Sequence, residues 1–87
     1  MKIWKQDFAA RPGMYIAEFR EGALLLSARE QKDRVSVWAL CNQDAPAANF
    51  KILVAETGYS VHSAHKFLGT AMFDSGAYVL HVFSVDD

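Results

Sequence analysis

The 87-residue chain carries nine Lys and Arg against ten Asp and Glu, a formal net charge of -1, with both signs scattered along its length. That balance lacks the basic footprint with which non-specific nucleic-acid binders neutralise phosphates, and no stretch approaches the ~20 consecutive apolar residues of a membrane-spanning helix. A single cysteine, Cys41, has no partner for an internal disulfide, which suits a reducing compartment.

In chain order, Ile3 to Asp7 reads as a short first strand, broken at Arg11-Pro12-Gly13, where Pro12 fixes its backbone and Gly13 tolerates a positive φ. Met14 to Phe19 alternates, with Met14, Ile16 and Glu18 opposite Tyr15, Ala17 and Phe19, as a second strand does. Glu21-Gly22 makes a tight turn. Ala23 to Gln31 is a third strand that opens on the two-sided apolar run Leu24-Leu25-Leu26; helix competes there, because Leu, Ala, Arg and Glu all favour it. Lys32-Asp33 closes a hairpin into a fourth strand, Arg34 to Asn42, with Val35, Val37, Ala39 and Cys41 on one face and Ser36, Trp38, Leu40 and Asn42 on the other.

The segment Gln43 to Ala48 reads as a loop in which Asp44 can start one helical turn. Phe50 to Glu56 is the fifth strand and Thr57-Gly58 ends it. A short helical turn is expected near 60–66, from the spacing of Val61, Ala64 and Leu68 with Ser60 as cap. Lys66 to Phe73 resumes as strand, Asp74-Ser75-Gly76 turns, and Gly76 to Phe83 forms a last strand apolar on both faces. The expected fold is therefore all-β, a single domain over residues 1–87. About seven short antiparallel strands form a meander, closed into a small barrel or folded into a sandwich.

Candidate chemistry is sparse. His62 and His65, three apart, could face one metal ion on a helical turn, but two ligands do not make a site. His81, between Leu80 and Val82, needs a hydrogen-bond partner or a solvent-facing position. Cys41 lies among apolar neighbours that suit inert packing. Trp4, Tyr15, Trp38, Tyr59, Phe67 and Tyr78, interleaved with lysines and arginines, could form a stacking platform, yet they serve more economically as core or interface. No phosphate loop, carboxylate pair or Ser/His/Asp arrangement stands out, so no enzyme activity, metal or cofactor is expected.

Several segments taken together carry a resemblance: Lys2-Ile3-Trp4-Lys5, Gly22-Ala23, Trp38-Ala39-Leu40 followed by Asp44-Ala45-Pro46, Thr57-Gly58, Leu68-Gly69-Thr70, and Gly76-Ala77 leading into His81-Val82-Phe83. Over nearly its whole length the chain resembles a family of short, uncharacterised bacteriophage and prophage proteins, classed as a domain of unknown function. The resemblance implies phage origin and expression in a bacterial cytoplasm. It departs at Tyr59, where many relatives resemble a histidine, and at Ala47 to Asn49, which lack the relatives' charged residues.

The functional expectation is a small accessory protein that acts by binding, with a host protein as partner and no membrane or nucleic acid involved. The alternatives are a binder of a small ligand or nucleotide signal, using Tyr59, His62, His65 and Lys66 at a homo-oligomer interface, and a minor virion component. With 52% hydrophobic residues in so short a chain, self-association is also expected, through the last strand at Tyr78, Leu80 and His81.

Overall fold

The computed structural model describes residues 1–62, 64 and 66–85. Among them run seven strands: β1 (Lys2–Phe8), β2 (Gly13–Arg20), β3 (Leu24–Gln31), β4 (Arg34–Cys41), β5 (Ala47–Glu56), β6 (Lys66–Phe73) and β7 (Tyr78–Val85). They form two antiparallel sheets, of order β1-β4-β3 and β2-β5-β7-β6. The sheets stack as a sandwich and do not close into a barrel.

The period-two patterns place the core between the layers. Val35, Val37, Ala39 and Cys41 of β4 face Ala17 and Phe19 of β2, Ile52 and Val54 of β5, and Leu80 and Val82 of β7, all within one buried cluster. Among the described residues seventeen apolar side chains are buried, a thin core of the size open to so short a chain.

The expected meander is not what forms, because the connections after β1, β2 and β4 all pass from one sheet to the other, the last two as corners of one ribbon. A single long ribbon, β2–β3 paired with β4–β5, closes at the Lys32–Asp33 hairpin, whose φ angles of 51° and 63° fit a primed two-residue turn. It bends across both strands at 21–23 and 42–46. Gly22, at φ 75°, occupies the third position of the inner turn, where Ala23 N–H bonds to Arg20 O at 3.0 Å. On the outer strand Asn42 initiates the turn, its side chain accepting from Asp44 N–H at 3.1 Å, so Asp44 starts no helix. Glu21 N–H bonds to Pro46 O at 2.8 Å and ties the two corners together. Arg20 reinforces the bend: its guanidinium lies 5.2 Å from the Trp4 ring and donates to Ala45 O at 3.2 Å.

Two further expectations change. β5 begins at Ala47, since Ala47 and Ala48 pair with Arg20 and Phe19 straight after the bend. No helix occurs among the described residues of 60–66; the one helical turn is a 3₁₀ turn at Asp74–Gly76, closed by Ala77 N–H on Asp74 O at 3.1 Å. The sequence between β3 and β4 offers only a hairpin turn, which settles 24–31 as strand despite its helix-favouring residues.

The sheet edges meet one another across the sandwich. Gln6 of β1 accepts from Glu18 N–H of β2 at 2.9 Å, and Lys66 of β6 donates to Leu25 O of β3 at 2.9 Å. β3 and β6 are each bulged, between Leu25 and Ser27 and between Phe67 and Gly69, and their backbones come together where Gly69 abuts Ala28. The Gln6 and Lys66 side chains each satisfy one edge backbone group, Glu18 N–H on β2 and Leu25 O on β3.

Candidate functional site

The outer face of the four-stranded sheet gathers most of the chemistry. Alternation turns Leu80, Val82 and Ser84 of β7 inward and leaves Val79, His81, Phe83 and Val85 outward. Register then builds rows across strands: Met14–Leu53–Phe83–Phe67, Ala55–His81–Thr70, and Val79–Met72. Phe67 and Phe83 meet edge to face at 5.6 Å, a favoured aromatic geometry.

His81 lies at the centre of this face. Its Nε2 is 2.7 Å from Thr57 Oγ1 and its Nδ1 is 3.3 Å from Thr70 Oγ1. A hydroxyl both donates and accepts, so either imidazole tautomer leaves both nitrogens partnered. The need for a partner foreseen for this histidine is met by two threonines from different segments. β5 and β6 run parallel with β7 between them, so the chain after Glu56 has to return along the sheet to start β6. Thr57, bonded to His81, begins that return on the outer face, and Ala55 beneath is only 8% exposed.

Around this fixed centre stand large, exposed side chains: Tyr59 at 68%, Met72 at 60% and Phe67 at 56%. Aromatic and methionine side chains on a rigid support are the groups enriched where proteins bind proteins.

The residues singled out from sequence are placed as follows. Tyr59 follows β5, its N–H on Glu56 O at 3.3 Å. His62 is exposed and His65 lies outside the described residues. Lys66 opens β6 opposite Ser84, while the Glu56 end of β5 lies opposite Leu80, four residues or about 13 Å along β7. The Lys66 ammonium is engaged by β3, so the structure does not bring it together with Tyr59. Leu80 is fully buried in the core and is closed to a partner, whereas His81 faces outward. Among the described residues no three His, Cys, Asp or Glu side chains gather as a metal site requires. The aromatics form no single platform: Trp4 and Tyr15 pack on the core, and Trp38 lies on the outer face of the other sheet. Thr57 and Thr70, quoted from sequence only as part of the resemblance, and Met72 were not named as site residues. The phase of β6 could have flagged Thr70 and Met72, but Thr57 joins them only through the fold.

At the mouth of the sandwich Tyr78, half-buried, donates from its hydroxyl to Glu56 Oε1 at 3.1 Å. Partial burial, that hydrogen bond and the carboxylate's charge hold its pKa above the phenol value of 10.0. The folded state then keeps the proton more tightly than the unfolded chain, so this stabilisation is complete below pH 10 and is lost as pH rises through the folded value. Urea unfolding of Tyr78→Phe should show a shallower alkaline decline than wild type. Parallel declines would assign the alkaline loss to other groups.

The chain is thus an all-β sandwich of two antiparallel sheets whose four-stranded layer carries an apolar outer face with His81 at its centre. The chain belongs to the family described as Domain of unknown function (DUF7352), whose profile matches residues 1–87. No curated protein and no solved structure matches it. No helix among the described residues is long and apolar enough to cross a membrane.

Proposed function

We propose that this chain is a bacteriophage or prophage accessory protein that acts by binding a host protein in the bacterial cytoplasm, through the outer face of the four-stranded sheet. The observation that supports this most is the group Tyr59, Phe67 and Met72, exposed around a histidine fixed by two threonines. Such a face supplies aromatic anchors and a defined polar centre, and the sandwich holds it rigid so that little ordering entropy is lost on binding. Occlusion of a host surface, in a defence or regulatory system, is the mechanism this suits.

The small-ligand reading has less support. Clefts lined by Glu56, Thr57, Ala77, Tyr78 and Val79, and by Arg29, Glu30, Thr70 and Met72, measure about 230 and 260 Å³. Both fall below the ~300 Å³ at which ligand pockets commonly begin.

The test is affinity capture from host lysate with wild type, Phe67→Asp and Met72→Asp, followed by titration against the purified candidate. A host protein that binds wild type and loses at least ~10-fold affinity for each variant is expected. If every captured protein binds the variants equally well, or a nucleotide alone raises the melting temperature, the reading fails.

A further inference from the structure

The outer face of the three-stranded sheet is graded from apolar to cationic. Ile3, Leu40 and Leu24 lie in register across all three strands, and Leu26, at the bulge in β3, is exposed beside them. Two residues along β4, Trp38 stands half-buried between Lys5 and Ser27. Next come Asp7, Ser36 and Arg29 in one row, and then Arg34 beside Gln31. The face thus runs from an aliphatic end, past an indole, to a charged end four to six residues or about 13–20 Å away along β4. No connection crosses it among the described residues, because β1 and β4 both continue into strands of the other sheet and β3 joins β4 by a two-residue turn.

The charged end holds a surplus of positive charge. Register places Lys5, Arg29 and Arg34 on this side, with Asp7 as the one carboxylate among the described residues. That carboxylate is already engaged: one oxygen accepts from Ser36 Oγ at 2.6 Å, and the other lies 3.6 Å from the Lys5 ammonium, which also donates to Gln31 Oε1 at 2.6 Å. Glu30 belongs to the opposite phase and accepts from Asp33 N–H at 2.9 Å, and Lys32 offsets Asp33 in the hairpin turn. Arg29 and Arg34 are exposed, and neither guanidinium has a hydrogen bond or ion pair among the described residues. The face has no carboxylate to spare for these arginines, so whatever covers it has to supply one.

We infer that this face docks an acidic segment of a partner protein, laid along β4 with carboxylates over Arg29 and Arg34 and aliphatic side chains over Leu24, Leu40 and Ile3. A guanidinium takes a carboxylate through two parallel N–H···O bonds, and arginine and tryptophan are both enriched among binding hot spots. The aliphatic row selects a protein over a nucleic acid, since it offers bases no stacking surface and phosphates no donor, and Trp38 is the one aromatic on the face among the described residues. The inference uses none of the residues proposed to meet a host protein on the other sheet, so each stands or falls alone.

Fluorescence anisotropy decides it, with a labelled synthetic peptide that carries glutamates at one end and leucines at the other. A control peptide has lysines in place of the glutamates, and an oligothymidine serves as a third probe. The wild-type chain should bind the glutamate peptide at least ~10-fold more tightly than either control, and binding should weaken between roughly 0.1 and 1 M salt, as the screening length falls from about 10 to 3 Å. Arg29→Glu and Arg34→Glu should each lose at least ~10-fold in affinity with an unchanged circular dichroism spectrum. Arg29→Gln and Arg34→Gln repeat the test, with a smaller loss, should a charge reversal disturb folding. Met72→Asp, on the opposite sheet, should bind as wild type does. A glutamate peptide that binds no more tightly than the lysine peptide, arginine variants that retain full affinity, or tighter binding of the oligothymidine overturns the inference.

Discussion

Gly69→Ala is expected to destabilise the fold by about 3 kcal/mol or more, a shift of roughly 15 °C or more in melting temperature for a domain of this size. A Cβ at this position would overlap the carbonyl oxygen of Ala28 and come within 3.0 Å of its carbonyl carbon and 3.2 Å of its nitrogen. All three are backbone atoms of a paired strand, so no side chain can swing aside. Relief requires β3 and β6 to separate, which would also stretch the Lys66–Leu25 contact on the same seam. Gly22→Ala is the control: open space surrounds that Cβ, and only the φ of 75° resists the change, so its effect should be about 1 kcal/mol. Thermal melts of the two variants side by side would separate steric collision from backbone preference. Equal, small losses would mean that the seam is looser than its geometry indicates.

Phe19→Ala should cost about 3–5 kcal/mol. Phe19 is 1% exposed, its ring centroid lies 6.2 Å from that of Phe50, and it immediately precedes Arg20 at the bend. Removing it empties the core beside the corner, where Arg20 Nε is already buried without a partner among the described residues, and leaves the bend without apolar support. Phe67→Ala, the same change at a 56% exposed ring, should cost well under half as much in urea unfolding. Against a typical total of 5–15 kcal/mol, Phe19→Ala alone brings the folded state near its limit.

The facing of individual residues was legible from sequence because each strand has one buried side and a period of two. Val35, Val37, Ala39 and Cys41 were readable as one face, as were Phe50, Ile52 and Val54, and both sets are inward or packed on the core. Topology was not legible. Glu21-Gly22 reads as a hairpin turn whether the chain reverses within a sheet or passes to the next one, and what decides is the Glu21–Pro46 bond across 25 residues. The partner of β1 was equally hidden, since chain neighbours suggest β2 while register gives β4. At the candidate site His81 was conspicuous as a polar residue in an apolar strand. Its partners were not, because Thr57 and Thr70 lie 24 and 11 residues away and any threonine can sit on a strand. The two-sided apolar runs did signal surface hydrophobicity, but in β7 the inward half of the run is interior.

The bent ribbon also governs how the molecule comes apart. Hydrogen bonding along the ribbon continues from the β3–β4 ladder through Glu21 and Pro46 into the β2–β5 ladder, so the two layers share one zipper. Neither layer can melt alone without breaking the bend that begins the other. Amide exchange should therefore report one cooperative unit at the centre of both sheets, and β1, an edge strand outside the ribbon that only the Gln6–Glu18 contact ties to the facing sheet's edge, should open first.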